Sequence, residues 1–126
     1  MALPQPTVAS LSGTCDASGN LTLTTRRGEP GQLHCLQLVA VRVIATDSVF
    51  VDIGIQRAGL QIWLETLSAG TKNRIYTYYH PVQIPSDYQV VVKFSAAGNK
   101  QLCEAWILGS YQVDVSSYDE RCMPTR

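Results

Sequence analysis

The chain has 126 residues, of which 45% are hydrophobic and 16% charged. That is a globular composition, with enough apolar material for a core burying roughly two-thirds of the surface that the unfolded chain exposes. Ten basic and ten acidic residues cancel, so the positive field needed for sequence-independent nucleic-acid binding is missing, and no nucleic-acid partner is expected. A net charge near zero also offers little electrostatic resistance to self-association. The length suits a single domain over 1–126, divided into an N-terminal arm over 1–19, a β-sandwich over 20–115 and a C-terminal tail over 116–126. Met1 to Pro6 contain no basic residue and no apolar run, so no signal peptide is expected there. No stretch reaches the ~20 apolar residues that span a bilayer, and no membrane partner is expected.

The elements follow from period-two alternation. Leu21 to Thr25 is a short strand, followed by a loop from Arg26 to Gln32. Leu38 to Ala45 places Val39, Val41, Val43 and Ala45 on one face. Thr46-Asp47-Ser48 is a polar turn into Val49 to Arg57, the clearest strand, so the two segments read as an antiparallel hairpin. In that strand Val49, Val51, Ile53 and Ile55 share one face and Phe50, Asp52, Gly54 and Gln56 the other. Ala58-Gly59 is the next turn. It leads into Leu60 to Leu67, where Leu60, Ile62 and Leu64 alternate with Gln61, Trp63 and Glu65.

The tyrosine-rich stretch Arg74 to Tyr79 fits a strand, which Pro81 and Pro85 interrupt because proline cannot donate to a ladder. Tyr88 to Phe94 alternates again, and Ser95 to Lys100 is a hairpin loop. Leu102 to Leu108 and Tyr111 to Val115 are the last strands, with a bulge or bend at Gly109. About eight antiparallel strands without a helix of normal length define an all-β chain, a β-sandwich or barrel with extended N- and C-terminal arms.

The ionisable residues do not assemble into a recognisable reaction centre. His34 and His80 are the two histidines, too few for a cupin-like metal site. Asp52, Glu65, Asp87 and Glu104 are scattered singly, and there is no Gly-x-Ser-x-Gly or Gly-x-Gly-x-x-Gly motif. The expectation is a non-enzymatic protein with no catalytic residues, no cofactor and no metal. Among the four cysteines, Cys35 and Cys103 are expected as reduced core residues, while Cys15 and Cys122 lie in terminal segments where a disulfide is conceivable.

Two aromatic features have two readings. Tyr76, Tyr78 and Tyr79, followed by His80-Pro81, form either an exposed contact cluster or ordinary half-buried strand residues. Trp63, on the face opposite Ile62 and Leu64, is a second contact candidate, and Trp106 is expected in the core.

The segments VAVRVIATDSVFVDIGIQRAG and YTYYHPVQIPSDYQVVVKFSAAGNKQLCEAWILGSYQV carry a family resemblance. Ile84-Pro85-Ser86-Asp87, the strand Tyr88 to Phe94, Gly98 and Gly109-Ser110-Tyr111 occur in the order that resembles the small jelly-roll cement (capsid decoration) proteins of tailed bacteriophages. The resemblance covers about residues 32–115. It implies a jelly-roll sandwich synthesised in the host cytoplasm and seated on the outer capsid surface of the virion. There it would bridge neighbouring major capsid proteins and associate with itself as a dimer or trimer. Contact candidates are Leu3, Pro4, Gln5 and Val8 of the arm, Trp63, the tyrosines Tyr76, Tyr78 and Tyr79, and Tyr118 of the tail. Rival expectations are a carbohydrate-binding or adhesin module of a phage tail or fibre, a neck or tail component, and a hydrolase.

Overall fold

Alternation of apolar and polar residues yields eight strands among the residues that the computed structural model describes, which are 5–25, 32–98 and 100–113. Side chains are described over 8–25, 34–98 and 100–110. The strands are β1 (Gln5–Thr14), β2 (Leu21–Thr24), β3 (Gln32–Val43), β4 (Val49–Arg57), β5 (Leu60–Ala69), β6 (Tyr76–Ile84), β7 (Gln89–Ser95) and β8 (Leu102–Val113). They form two four-stranded sheets, β1-β8-β3-β6 (sheet I) and β2-β7-β4-β5 (sheet II), with every pairing antiparallel. This is the expected β-sandwich. The pairing is nested: β1 with β8, β2 with β7, β3 with β6, β4 with β5, as in one long hairpin folded across two layers.

The core is the sum of the inward phases of both sheets. Val39, Val41 and Val43 of β3 face Val49, Val51 and Ile53 of β4, and Phe94 of β7 lies among them, all essentially without exposure. Burial of each such side chain stabilises the fold by ~1.5–3 kcal/mol. The expected hairpin between β3 and β4 is therefore corrected: the strands lie in different sheets, joined by an arch over residues 44–48. Two strands whose apolar phases are both strong gain more by facing each other across the core than by lying side by side. The same reason corrects the hairpin expected over Ser95 to Lys100, because β7 and β8 also belong to opposite sheets. The Ala58-Gly59 turn holds, with φ of 20° and 83°, and joins β4 to β5 in two residues.

Three further expectations change. Residues 5–14, read as part of an arm, form β1 at an edge of sheet I, ten residues in register with β8. The two strands expected over 102–115 are one, β8, because the irregularity lies in its neighbour. Leu36 pairs with Gly109 and Leu38 with Leu108, which leaves Gln37 as an extra residue in β3. Gly109 is required there, since a Cβ would run into the Cys35 carbonyl oxygen. Pro81 sits inside β6 rather than ending it, because β6 is an edge strand and His80-Pro81 stand opposite Gln37 alone.

Candidate interaction surface

Paired residues in an antiparallel ladder project to the same side of the sheet, so the register defines what each outer face presents. On sheet I the inward phase of β8 is Cys103, Ala105 and Ile107, all buried, which turns Glu104, Trp106 and Leu108 outward. Leu108 pairs with Val8 of β1 on one side and with Leu38 of β3 on the other, and Leu38 pairs with Tyr79 of β6. One apolar residue from each strand thus forms a row across the whole outer face: Val8, Leu108, Leu38, Tyr79. Its ends are open, with Val8 68% and Tyr79 73% exposed. Four strands at ~4.8 Å spacing make this row about 14 Å long.

The adjoining rows bound this strip. Ser10, Trp106, Ala40 and Thr77 form the next one, and Ser12, Glu104 and Arg42 the one after. The Arg42 guanidinium donates to Glu104 Oε1 from Nε at 2.8 Å and from Nη2 at 2.6 Å. It also lies 5.7 Å from the centroid of the Trp106 ring. Arg42 is held by both partners, so the apolar row has a structured polar border on that side. Trp106, expected in the core, is a half-buried outer-face residue. On the other flank the row Ser110, Cys35, Gln83 places Cys35 outward.

The sequence-predicted contact residues separate on this frame. Val8 and Tyr79 lie at the two ends of the same row. Tyr76 and Tyr78 do not join them: they pair with Val41 and Val39 on the inward phase and pack against the core. Hydrogen bonding to Thr71, first through its side chain and then through its N–H, which donates to the Tyr76 hydroxyl at 2.9 Å, holds that phenol below its usual pKa. Burial pushes the Tyr78 phenol up, with the Glu65 charge adding to it. Trp63 is exposed as expected, but on the opposite side of the molecule, the outer face of sheet II. Gln5 is in β1 and its side chain is outside the described residues, as are Leu3, Pro4 and Tyr118. Leu38 and Leu108 were missed, although one signal was present. β3 and β8 carry apolar residues on both phases, Leu38 and Ala40 beside Val39 and Val41, and Trp106 and Leu108 beside Ala105 and Ile107. A strand with two apolar phases has an apolar outside as well as an apolar inside.

The outer face of sheet II is built differently. Gln61 Nε2 donates to Gln56 Oε1 at 3.0 Å, Gln56 Nε2 to Gln89 Oε1 at 2.9 Å, and Gln89 Nε2 to the Thr25 carbonyl at 2.6 Å. Thr66 Oγ1 donates to Asp52 Oδ1 at 2.6 Å. The Trp63 indole lies over Gly54, where a Cβ would come within 2.8 Å of its Cε3 atom. Next in that row Val91 is fully buried although it faces outward. Where β4 turns into β5, a shallow cleft of about 420 Å³ is lined by Gln56, Arg57, Ala58, Gly59, Leu60, Gln61 and Gln89. Its lining carries one ionisable side chain, Arg57, and so supplies no acid–base pair.

Of the two cysteines expected as reduced core residues, Cys103 is as expected and Cys35 is not. Cys35 is disulfide-bonded, to a partner outside the described residues, rather than reduced. Its outward phase explains this, since β3 points Leu36 into the core before the Gln37 bulge and Val39, Val41 and Val43 after it, which leaves Cys35 on the outer face. Cys15 and Cys103 are free and buried. Cys15 Sγ lies 2.8 Å from the Gly98 carbonyl and 3.0 Å from the Gln101 N–H. Burial, then the neighbouring Cys15, pushes the Cys103 thiol up to about 12, far from a reactive thiolate. Among the described residues no group of three His, Cys, Asp or Glu is placed to hold a metal ion.

No protein-family model matches the chain, and no curated protein matches it in sequence. Its fold is similar to that of a protein from the disulfide-linked pili that form Bacillus endospore appendages, with a TM-score of 0.57 at 9% identity, covering 90% of this chain and 92% of that one. Looser similarity is found to the Drosophila NLP core, with a TM-score of 0.46 at 16% identity over 83% of this chain and 97% of that one. The Gx strain structure of infectious bursal disease virus gives 0.48 at 12% identity over 93% of this chain and 34% of that one. The first similarity establishes a shared two-sheet β fold.

Proposed function

We propose that the protein is a non-enzymatic structural component of a virion, a cement protein of jelly-roll type that docks on the outer surface of a phage capsid and bridges neighbouring major capsid proteins. The observation that carries this reading is the row Val8, Leu108, Leu38 and Tyr79, which spans sheet I from edge to edge. Apolar side chains in such a row are covered by a partner more favourably than by water. The nested strand pairing, two Greek keys rolled together, supports the jelly-roll part. A disulfide at Cys35 suits a particle that persists outside a reducing cytosol. One such row is smaller than the ~800 Å² per partner of a stable interface, so the reading requires several subunits or contacts acting together on a repeating lattice. Incubation of purified protein with intact parent capsids, expanded capsids and isolated tails tests it. Saturable binding to capsids that is lost in Tyr79→Ser and Val8→Ser is the expected result. Binding to tails or necks alone would move the subunit to that part of the particle.

A second reading has its own observation. Trp63 stands beside the Gln61–Gln56–Gln89 amide ladder on sheet II, an aromatic platform next to polar groups of the kind that receives a sugar ring. A glycan array in which binding depends on Trp63 and not on Tyr79 would favour the carbohydrate-binding module.

A further inference from the structure

The sandwich has four strand edges, and they are not equally protected. A sheet edge presents unpaired N–H and C=O groups to any other extended chain, and proteins blunt edges with short strands, bulges, prolines or charge. β2 has four residues. β6 carries Pro81 and the irregularity opposite Gln37. β5 is interrupted where Ile53 pairs with Glu65 but Gly54 pairs with Trp63, leaving Leu64 as an extra residue, and Glu65 adds a charge. β1 carries Pro6 as its second residue and none of these devices from Thr7 to Thr14. Its ten residues pair in unbroken register from Gln5 with Tyr111 to Thr14 with Leu102, and contain no Asp, Glu, Lys or Arg.

The direction of its backbone groups can be read from the ladder. The Cys15 N–H donates to the Gln101 carbonyl at 3.0 Å, directly beyond the Thr14–Leu102 pair. Alternation then turns the backbone groups of Gly13, Leu11, Ala9 and Thr7 toward β8, and those of Thr14, Ser12, Ser10 and Val8 away from it. Pro6 falls on the outward phase, where its missing N–H takes nothing from the ladder. Among the described residues no strand lies on that side of β1. The side chains of Val8, Ser10 and Ser12 are exposed beside it.

We infer that the free edge of β1 is a strand-addition site whose occupant is the β1 edge of a second copy of this chain, paired antiparallel about a two-fold axis. Three features select a second copy over a charged peptide. The strand offers no charge to recognise one. Self-pairing brings no like charges together, in a chain whose ten basic and ten acidic residues already cancel. Ser10, on the outward phase, is small enough to face its own copy and Ser12 to face Val8 of the second copy, and a two-fold contact closes on itself instead of growing. Pairing centred on Ser10 joins two copies of sheet I into one eight-stranded sheet and places both apolar rows on its one outer face, offset by four residues along the strands. The inference uses the edge of sheet I rather than its face, and does not depend on the capsid reading.

The test is the association state of the whole chain by sedimentation equilibrium, for wild type and three variants. Ser10→Pro removes an outward N–H without touching the β8 ladder, Ser10→Lys adds charge to the edge, and Gln83→Lys does the same on the β6 edge. The expected result is a wild-type dimer whose dissociation constant rises about tenfold or more in both Ser10 variants and is unchanged in Gln83→Lys. Circular dichroism on the same samples identifies any variant that fails to fold, and Ser10→Lys, with its side chain already in water, is the one to rely on. Amide exchange at Ser10 and Ser12 should slow as protein concentration rises. A wild-type monomer at all concentrations, a dimer indifferent to Ser10→Lys, or an open-ended polymer would each overturn the inference.

Discussion

Sheet II ties most of its outer face together with its own side chains and leaves Phe50 and Trp63 exposed singly, whereas sheet I carries an apolar row from edge to edge. In sheet II the amides of Gln61, Gln56 and Gln89 pass hydrogen bonds in one direction to the Thr25 carbonyl, Asp52 accepts from Thr66, and Trp63 covers Gly54. In sheet I the corresponding area is Val8, Leu108, Leu38 and Tyr79, with no polar group for water to bind except the Tyr79 hydroxyl. Both sheets bury the same kind of aliphatic side chain on the inside. Folding alone therefore explains the inner faces and the hydrogen-bonded part of sheet II, but gives no reason for the row on sheet I; the docking role proposed above supplies one.

The sharpest way to break this comparison is to test whether inside and outside are energetically distinct. Phe94 is fully buried, and Phe50 lies on the outer phase of β4 with half its surface in water. Phe94→Ala is expected to lower the unfolding free energy by about 3–5 kcal/mol in urea titration. Phe50→Ala is expected to change it by less than about 1 kcal/mol. Equal losses would mean that the phase of β4, and with it the outer face of sheet II, is wrongly assigned.

Next in size are the two glycines at which the sheets approach themselves most closely. A Cβ on Gly109 meets the Cys35 carbonyl in sheet I, and one on Gly54 meets the Ile62 carbonyl and the Trp63 ring in sheet II. Each change to alanine is expected to destabilise the fold by about 1–3 kcal/mol, because backbone rather than a movable side chain has to yield. Tryptophan fluorescence separates them. Gly54→Ala displaces the Trp63 indole and shifts the emission, while Gly109→Ala acts beside the Gln37 bulge, away from Trp63. Identical spectral changes in both variants would remove the indole from the face of Gly54.

A smaller effect on stability accompanies the largest on binding. Tyr79→Ala truncates a side chain that lies mostly in solvent, so the unfolding free energy should move by no more than ~0.5 kcal/mol. Loss of an aromatic anchor from an interface costs about 2 kcal/mol or more, roughly thirtyfold in affinity. Gln56→Ala on sheet II is expected to show the reverse, a small loss of stability with binding to the particle unchanged. A capsid pull-down that responds to Gln56→Ala and ignores Tyr79→Ala would transfer the docking face to the other sheet.

How far this was legible in the sequence depends on which residues carry each feature. β4 is evident because Val49, Val51, Ile53 and Ile55 alternate with smaller or polar residues, and the alternation is itself the cause of the two-faced strand. β1 is not, since Ser10, Ser12 and Gly13 have little strand preference of their own, and their conformation comes from pairing with β8 about ninety residues away. Trp106 was legible in part: it shares a phase with Glu104, and a carboxylate on that phase argues against a core position. The tyrosine cluster could have been divided by the pleat alone, because Tyr78 and Tyr79 are consecutive and must face opposite ways. The row across sheet I was beyond reach, because it exists only once the registers of three strand pairs are known.

The least of the expected effects concerns His34, on the inward phase of β3 opposite buried Ile84. Burial holds its imidazole below the ordinary value of 6.5, which favours the neutral ring in the folded state. In the unfolded chain the ring takes up a proton as the pH falls through 6.5, while the folded protein does so only at lower pH. The unfolded state then binds more protons, and stability falls with pH in that window and is level above it. His34→Gln should flatten the slope of unfolding free energy below pH 6.5 and leave Tyr79-dependent binding at pH 7.5 intact. If the slope survived His34→Gln, the inward phase assigned to the start of β3 would be wrong, and the outward placement of Cys35 would have to be abandoned with it.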